Sequence, residues 1–273
     1  MKAIIFNDIK RTLRSKRFWI CAGLIVISAI LNFITEFLFN RNKPKGALEL
    51  FVVGNILGNP MMNMIAPFIP AFIIGPTVAG DLITDDFKEQ IKKFGAKRYL
   101  TARSISSFIS GGGVFIISFL IVLAGCFFYN PAVQEIRYAP LGMFKEIYYT
   151  SVPSYIFLFI LYSALFGAVF SFFSFGIGLA ARNETLAMAL PGIIYHGAMI
   201  VWPLFNNPLV SWLNILLPQF AYDFNLYSAP LGPETDKAIK LGVIFIVSAA
   251  LVITAYGRLK KDGPIVIAEG LPR

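Results

Sequence analysis

Long stretches of apolar residues, separated by short polar segments, recur along this chain. Six of them, each with few or no charged residues, lie at about 18–39, 61–83, 106–128, 155–180, 185–204 and 238–256. A helix of about 20 apolar residues crosses the roughly 30 Å hydrocarbon core of a bilayer. Because that core offers the backbone no hydrogen-bonding partners, such runs are predicted to be helices. The pattern predicts an all-α membrane protein with six transmembrane helices in one domain over residues 1–273.

The segment before the first predicted span, residues 1–17, is both apolar and basic. Its apolar residues recur at helical spacing, at Ile4, Ile5, Ile9 and Leu13. This predicts an amphipathic helix lying in the membrane interface, with a basic face toward anionic headgroups. The residues predicted for that face include Lys10, Arg11, Arg14 and Arg17. A signal peptide is the alternative, but the apolar run is too long and no small-residue cleavage site follows it.

Prolines and polar residues interrupt the apolar pattern at several places. Pro67, Pro70 and Pro76 fall inside the second predicted span, which should therefore be kinked or locally unwound. Short interfacial or surface helices are predicted at 48–57 and within 129–153. Between the fifth and sixth spans, the apolar but proline-broken stretch 206–236 predicts a re-entrant external segment.

Composition and charge agree with a membrane location. Hydrophobic residues make up 57% of the chain and charged residues only 14%, whereas a soluble domain carries about a quarter charged residues. The mean hydropathy is +0.70. The net charge of +9 suits either an anionic partner such as nucleic acid or the positive-inside bias. Because lysines and arginines concentrate in 1–17, 84–103 and 258–273, we favour the bias, with both termini in the cytoplasm.

Residues with obvious chemistry are scarce. The sequence has no GxxxxGK[ST] motif, so no nucleotide-binding loop is predicted in this chain. Cys21 and Cys126 lie in apolar runs and are predicted to be buried thiols rather than metal ligands. His196 in the fifth span has two interpretations, a helix–helix hydrogen bond or a functional role. Glu36 near the outer end of the first span is either solvated or functional. No catalytic or metal-binding residue is predicted.

The longest polar stretch, residues 84–103, contains an apolar pattern of its own. Phe87, Ile91 and Phe94 follow each other at spacings of four and three, which places them on one face of a helix. An ordinary solvated loop is one interpretation of this stretch. The apolar face favours the other, a helix that docks against a partner protein.

The layout resembles the ABC-2 type family of ABC transporter permeases, particularly small bacterial ones associated with peptide or bacteriocin export and immunity. Asp85–Phe94 corresponds to the family's cytoplasmic coupling helix, with Glu89-Gln90 where the family usually has Gly-Thr. Gly95-Ala96-Lys97-Arg98 and Arg103 are similar to the small and basic residues that follow it. Leu216-Leu217-Pro218-Gln219-Phe220 is similar to the leucine–proline–aromatic step of the family's external re-entry.

The resemblance implies roles for these segments. Two permeases pair, as a homodimer or heterodimer, and two copies of a cytoplasmic ATPase subunit bind them, holding ATP and Mg that this chain does not bind. The implied coupling-helix residues are Asp85, Asp86, Phe87, Lys88, Glu89, Gln90, Ile91, Lys92 and Phe94. The N-terminal helix lies at the same interface, and spans one, two and five line the path. The implied external gate comprises Trp212, Leu216, Leu217, Pro218 and Phe220.

The function that follows is the permease subunit of an ATP-driven exporter in a prokaryotic cytoplasmic membrane. Its substrate is expected to be hydrophobic or amphipathic, such as a peptide, a lipid or a drug. Its expected partners are the ATPase, a second permease and the bilayer, without nucleic acid. One alternative is an immunity or binding protein that sequesters a toxic peptide in the membrane without transport. Another is a membrane-embedded enzyme, for which His196 and Glu36 are the starting points.

Overall fold

The computed structural model describes residues 1–39, 46–56, 59–83, 85–130, 143–201 and 233–269. Every regular element in these ranges is a helix. In chain order they are α1 (Lys2–Arg14), α2 (Lys16–Phe39), α3 (Ala47–Asn55), α4 (Pro60–Ile65), α5 (Phe68–Ile83), α6 (Asp85–Phe94), α7 (Ala96–Tyr129), α8 (Lys145–Thr150), α9 (Val152–Ala181), α10 (Glu184–Val201) and α11 (Pro233–Glu269). The all-helical prediction is therefore confirmed for the described part of the chain.

Five helical segments are long and apolar enough to cross a membrane. They are Lys16–Thr35, Pro60–Leu82, Ala96–Tyr129, Val152–Ala181 and Glu234–Leu259. They coincide with five of the six predicted spans, as expected of a membrane protein. The predicted span at 185–204 corresponds to α10, which is not among the five. Its described part has 18 residues and covers about 27 Å at 1.5 Å per residue, slightly less than the hydrocarbon core.

Some predicted features fall outside the described residues. The re-entrant segment between the fifth and sixth spans is one of them up to residue 232, whereas its last residues, from Pro233, belong to α11. The same holds for all the predicted gate residues, Trp212, Leu216, Leu217, Pro218 and Phe220.

Two helices extend well beyond the apolar runs that predicted them. α7 begins at Ala96, not near residue 106, so the basic residues 97–103 are helical and not part of a loop. α11 runs from Pro233 to Glu269, whereas the predicted span was 238–256. Gly95, with φ +79°, ends α6 and turns the chain into α7. Hydropathy marks only the apolar part of a helix, so the polar residues 96–105 at the start of α7 were not assigned to the predicted span.

The second span is interrupted, as its prolines predicted. α4 ends at Ile65 and α5 begins at Phe68, with Pro67 in the break between them. His196 of α10 lies across this break, with its Nε2 2.9 Å from the Met64 carbonyl oxygen. Its ring stacks on Phe68, with centroids 5.7 Å apart. The interpretation of His196 as a helix–helix hydrogen bond is confirmed. Such side chains satisfy backbone groups that a broken membrane helix leaves free.

The short helix predicted at 48–57 forms, but it does not lie at the surface. In α3, Phe51 and Val52 are fully buried. The Phe51 ring packs edge-on against Phe119 of α7 and Phe159 of α9, at 6.2 and 6.1 Å. α3 is therefore inserted among the long helices. Gly54 permits this insertion, because a Cβ there would lie 3.3 Å from a backbone oxygen of α2.

α7 and α9 approach each other closely through small residues. A Cβ added at Gly111 would lie 2.5 Å from the Gly167 carbonyl oxygen, and one at Gly167 only 2.4 Å from the Gly111 carbonyl oxygen. The hydroxyl groups of Ser107 and Ser171 are 2.9 Å apart at the same crossing. Apolar side chains gain little from leaving lipid for another apolar helix. Close backbone approach and interhelical hydrogen bonds therefore stabilise this contact.

This crossing can be tested with two glycines from one run of α7. We expect Gly111→Ala to lower the free energy of unfolding by about 2 kcal/mol, because the new methyl group has no space. Gly113→Ala is the matched control, since no atom lies within 4 Å of its Cβ position. Thermal unfolding in detergent micelles measures the difference. Equal unfolding temperatures for the two variants would contradict the observed crossing.

Candidate functional site

Four charged side chains meet where α1, α5 and α7 converge. Asp8 and Arg11 come from α1, Asp81 from the last turn of α5, and Arg103 from the start of α7. We call these four residues the ion network. We call the end of the bundle that carries them, together with α6, the basic end.

Arg103 is the centre of the ion network. Its Nη1 lies 2.7 Å from Asp8 Oδ1, and its Nη2 donates to Asp81 Oδ2. Only 8% of the Arg103 side chain is exposed. A guanidinium group has several donors in a fixed plane, so it can bind two carboxylates from two different helices at once.

Arg11 closes the network from its exposed side. Its Nη1 and Nη2 donate to the two carboxylate oxygens of Asp81 at 3.2 and 3.0 Å. Ser106 adds a hydrogen bond from its hydroxyl to Asp8 Oδ2 at 3.2 Å. Two positive and two negative side chains are thus paired in one place. The network ties α1 to α5 and α7, which are far apart in the sequence.

α1 is oriented so that Asp8 faces the bundle. Ile4 is buried, while Lys10 and Arg14 are exposed. α1 ends at Arg14, because Ser15 adopts an extended conformation. Arg17, which was predicted on the N-terminal helix, therefore lies in the first turn of α2.

Arg11 was also predicted to face lipid headgroups. Half of its side chain is exposed, but its guanidinium group pairs with Asp81. Part of the predicted basic face is therefore used inside the chain.

The apolar face of α6 is covered by the chain itself. Phe87 and Ile91 are only 3% and 9% exposed. The Phe87 ring packs edge-on against Tyr99 of α7, with centroids 5.5 Å apart. The interpretation that these two side chains wait for a partner protein is wrong. An apolar helix face indicates burial, but its spacing does not tell whether the cover comes from the same chain.

The opposite face of α6 is polar and exposed. It carries Glu89, Gln90, Lys92 and Lys93, while Phe94 is half-buried. A cleft of about 260 Å³ separates α6 from α1, with Gln90 and Lys93 on one wall and Asp8 and Arg11 on the other. A protein that binds at this end would thus meet α6 and the ion network together. Asp85, Asp86 and Lys88 belong to the same helix.

The ion network was largely missed by the sequence analysis. Asp8 and Asp81 were assigned to no site, and Arg103 was named only through the family resemblance. A usable signal was present, since Asp8 is an acidic residue in a basic helix and Asp81 ends an apolar span. No group of three or more His, Cys, Asp or Glu side chains comes together to hold a metal ion among the described residues.

A second charged cluster lies at the opposite end of the bundle. In the first two turns of α11, Lys240 Nζ is 2.8 Å from Asp236 Oδ2, and both side chains are buried. Lys237 and, on α3, Glu49 are buried as well. Lys237 and Lys240 lie at the start of the sixth predicted span, and no pairing of either was predicted. The i,i+4 spacing of Asp236 and Lys240 was the available signal.

A neighbouring contact ties this cluster to the segment around α8. Glu234 Oε1 accepts a hydrogen bond of 2.7 Å from the Phe144 backbone N–H. Burial raises the pKa of the Tyr148 hydroxyl to about 12, and the Glu49 carboxylate contributes to the shift. Tyr148 is therefore uncharged at neutral pH.

No protein-family model matches the chain, and no curated protein matches it.

Removing the central arginine tests the ion network. We expect Arg103→Met to cost about 3 kcal/mol of stability, because it leaves two carboxylates facing one arginine. Arg98→Met is the control, since Arg98 is exposed on the same helix. Thermal unfolding measures stability, and trypsin cleavage after Lys10 or Arg14 reports release of α1. If both variants keep the wild-type unfolding temperature and cleavage rate, the network does not hold α1.

The second cluster predicts an unusual order of stabilities. Asp236→Leu leaves Lys240 buried without its carboxylate, which should cost about 3–5 kcal/mol. The double variant Asp236→Leu/Lys240→Leu removes both charges and should be clearly more stable than the single variant. Chemical or thermal unfolding in micelles gives the order. A double variant less stable than Asp236→Leu would show that Asp236 and Lys240 do not form a buried ion pair.

Proposed function

We propose that this chain is the permease subunit of an ATP-driven exporter. Its cargo would be a hydrophobic or amphipathic molecule such as a peptide, a lipid or a drug. One observation best supports this. α6 is a short helix with an exposed polar face, and it is attached to the ends of helices long and apolar enough to cross a membrane. The family resemblance of the sequence provides the rest of the argument.

The connections at the basic end suit the transmission of force. The contact between Phe87 and Tyr99 joins α6 to α7. Arg103, one turn further along α7, is joined to α1 and α5 through Asp8 and Asp81. A push on α6 would therefore move the ends of three other helices together. Rigid-body motion of packed helices is a common form of switching in proteins.

The source of the push would be a partner ATPase, which binds ATP and Mg on its own residues. In this proposal the chain contributes the docking surface, formed by Glu89, Gln90, Lys92 and Lys93. A nucleotide shifts the equilibrium between two conformations only if its affinities for them differ, and the size of the shift is set by that difference. The ATPase pair would have that preference, and the permease would follow through α6.

The remaining parts of the proposal come from the same resemblance. Two permease chains pair, each with one ATPase, in the cytoplasmic membrane of a prokaryote. The basic end faces the cytoplasm, where ATP is available, in keeping with the positive-inside rule. The segment from Trp212 to Phe220 would form the external gate.

Charge reversal on α6 tests the docking surface. We expect Lys92→Glu/Lys93→Glu to reduce co-purification with the ATPase at least tenfold, as expected when like charges face each other in an interface. Lys97→Glu/Arg98→Glu, an equally exposed basic pair on α7, is the control and should keep the ATPase bound. Phe87→Ala/Ile91→Ala should instead lower the stability of the permease, because those side chains are internal.

Two results would overturn the proposal. If the purified chain moves substrate without any ATPase that carries a Walker A motif, a partner ATPase does not drive the transport. If cells remain protected from a toxic peptide when the ATPase cannot hydrolyse ATP, the chain is a sequestering immunity protein. Loss of both transport and protection in that ATPase mutant is the expected outcome.

A further inference from the structure

A second pocket at the basic end lies where α1 turns into α2, beside α5. Its volume is about 360 Å³. The charged residues that line it are Arg11, Lys16, Arg17 and Asp81, and Ile73 and Pro76 form an apolar wall. We call it the junction pocket.

The junction pocket has an excess of positive charge. Asp81 is its single lining carboxylate, and it already accepts hydrogen bonds from Arg11 and Arg103. Lys16 and Arg17 form no ion pair with any carboxylate in the part of the chain that the structure describes. Lys16, Arg17 and Arg11 give the lining three positive side chains against one negative side chain, which makes an anionic ligand favourable there.

The hydroxyl groups of the pocket are already engaged. Thr12 donates to the Asp8 carbonyl oxygen at 3.0 Å, Ser15 to that of Thr12 at 2.7 Å, and Thr77 to that of Ile74 at 2.8 Å. An anion in the pocket would therefore be held by ammonium and guanidinium groups. Arginine and lysine side chains together are typical of phosphate binding.

Neighbouring residues indicate the depth of the pocket relative to the bilayer. Trp19 is 53% exposed and its Nε1 donates to the Leu13 carbonyl oxygen at 2.9 Å. Exposed tryptophans that begin a membrane helix lie at the level of the lipid headgroups. Ile20 and Leu24 follow as exposed apolar residues, which suits contact with acyl chains. The exposed Trp19 therefore favours a depth for the opening of the pocket at the level of the lipid phosphates.

We propose that the junction pocket binds the phosphate group of an anionic glycerophospholipid from the leaflet at the basic end. Lys16 and Arg17 pair with the phosphate, while Ile73 and Pro76 contact the start of the acyl region. Arg11 lies between the lipid phosphate and Asp81, so that a bound lipid would reinforce the attachment of α1. The proposal depends on the chain lying in a membrane, and not on transport.

The test counts lipids that remain bound to the full-length protein in native mass spectrometry. The probes are dioleoyl phosphatidylglycerol and dioleoyl phosphatidylcholine, titrated into the detergent-solubilised protein. We expect one retained phosphatidylglycerol per chain, and a roughly tenfold loss of its affinity in Lys16→Gln/Arg17→Gln, since bonds to charged groups are strong. Lys10→Gln/Arg14→Gln removes the same charge from the exposed face of α1 and should change the affinity less than about twofold.

Further measurements separate the possible outcomes. Arg17→Lys keeps the charge and should keep most of the binding, and the melting temperature of each variant shows that it is folded. Equal losses in the two double variants would mean diffuse attraction to a basic surface and would overturn the proposal. Equal binding of phosphatidylcholine would also overturn it, because the pocket would then not select charge. Displacement of the lipid by inorganic phosphate at similar concentrations would identify a site for a free anion instead.

Discussion

A guanidinium group buried among apolar helices has to be paired, because an isolated charge in such surroundings is very costly. Arg103 meets this requirement with Asp8 and Asp81, which come from two different helices. The pairing determines how α1 lies against the bundle, since Asp8 is its inward-facing acid. It also determines where α5 ends relative to α7. The rest of the basic end, including α6 and the two pockets, is arranged around this contact.

The depth of Arg103 is itself set by helix packing. One turn further along α7, Ser107 is hydrogen-bonded to Ser171 of α9, and Gly111 meets Gly167 in the next turn. The two helices can approach closely only where side chains are small, so the crossing has one favourable register. That register places the guanidinium of Arg103 level with the end of α5. At the opposite end of the bundle, the buried Asp236–Lys240 pair lies within the first turns of α11.

Three elements with different neighbours share the ion network. α6 reaches it through the contact of Phe87 with Tyr99 of α7, and its polar face is exposed. α1 and the first turn of α2 reach it through Arg11, which also lines the junction pocket. A protein bound to α6 and a lipid bound at the junction would therefore act on the same group of charges. By linkage, each would then change the affinity for the other if the ion network has two arrangements.

The sequence by itself determined the helical class, five segments long and apolar enough to cross a membrane, and an interruption within the second of them. These follow from local properties, namely the absence of charge over about 20 residues and the geometry of proline. The amphipathic character of α6 was also predictable from Phe87 and Ile91. The tertiary structure decided what covers that face and how α3 is inserted. It also decided the partners of Arg103 and the burial of Asp236 with Lys240. Each depends on contacts with other helices. The spacing of apolar residues along a helix indicates that a side chain is buried, but it does not indicate which residues lie against it.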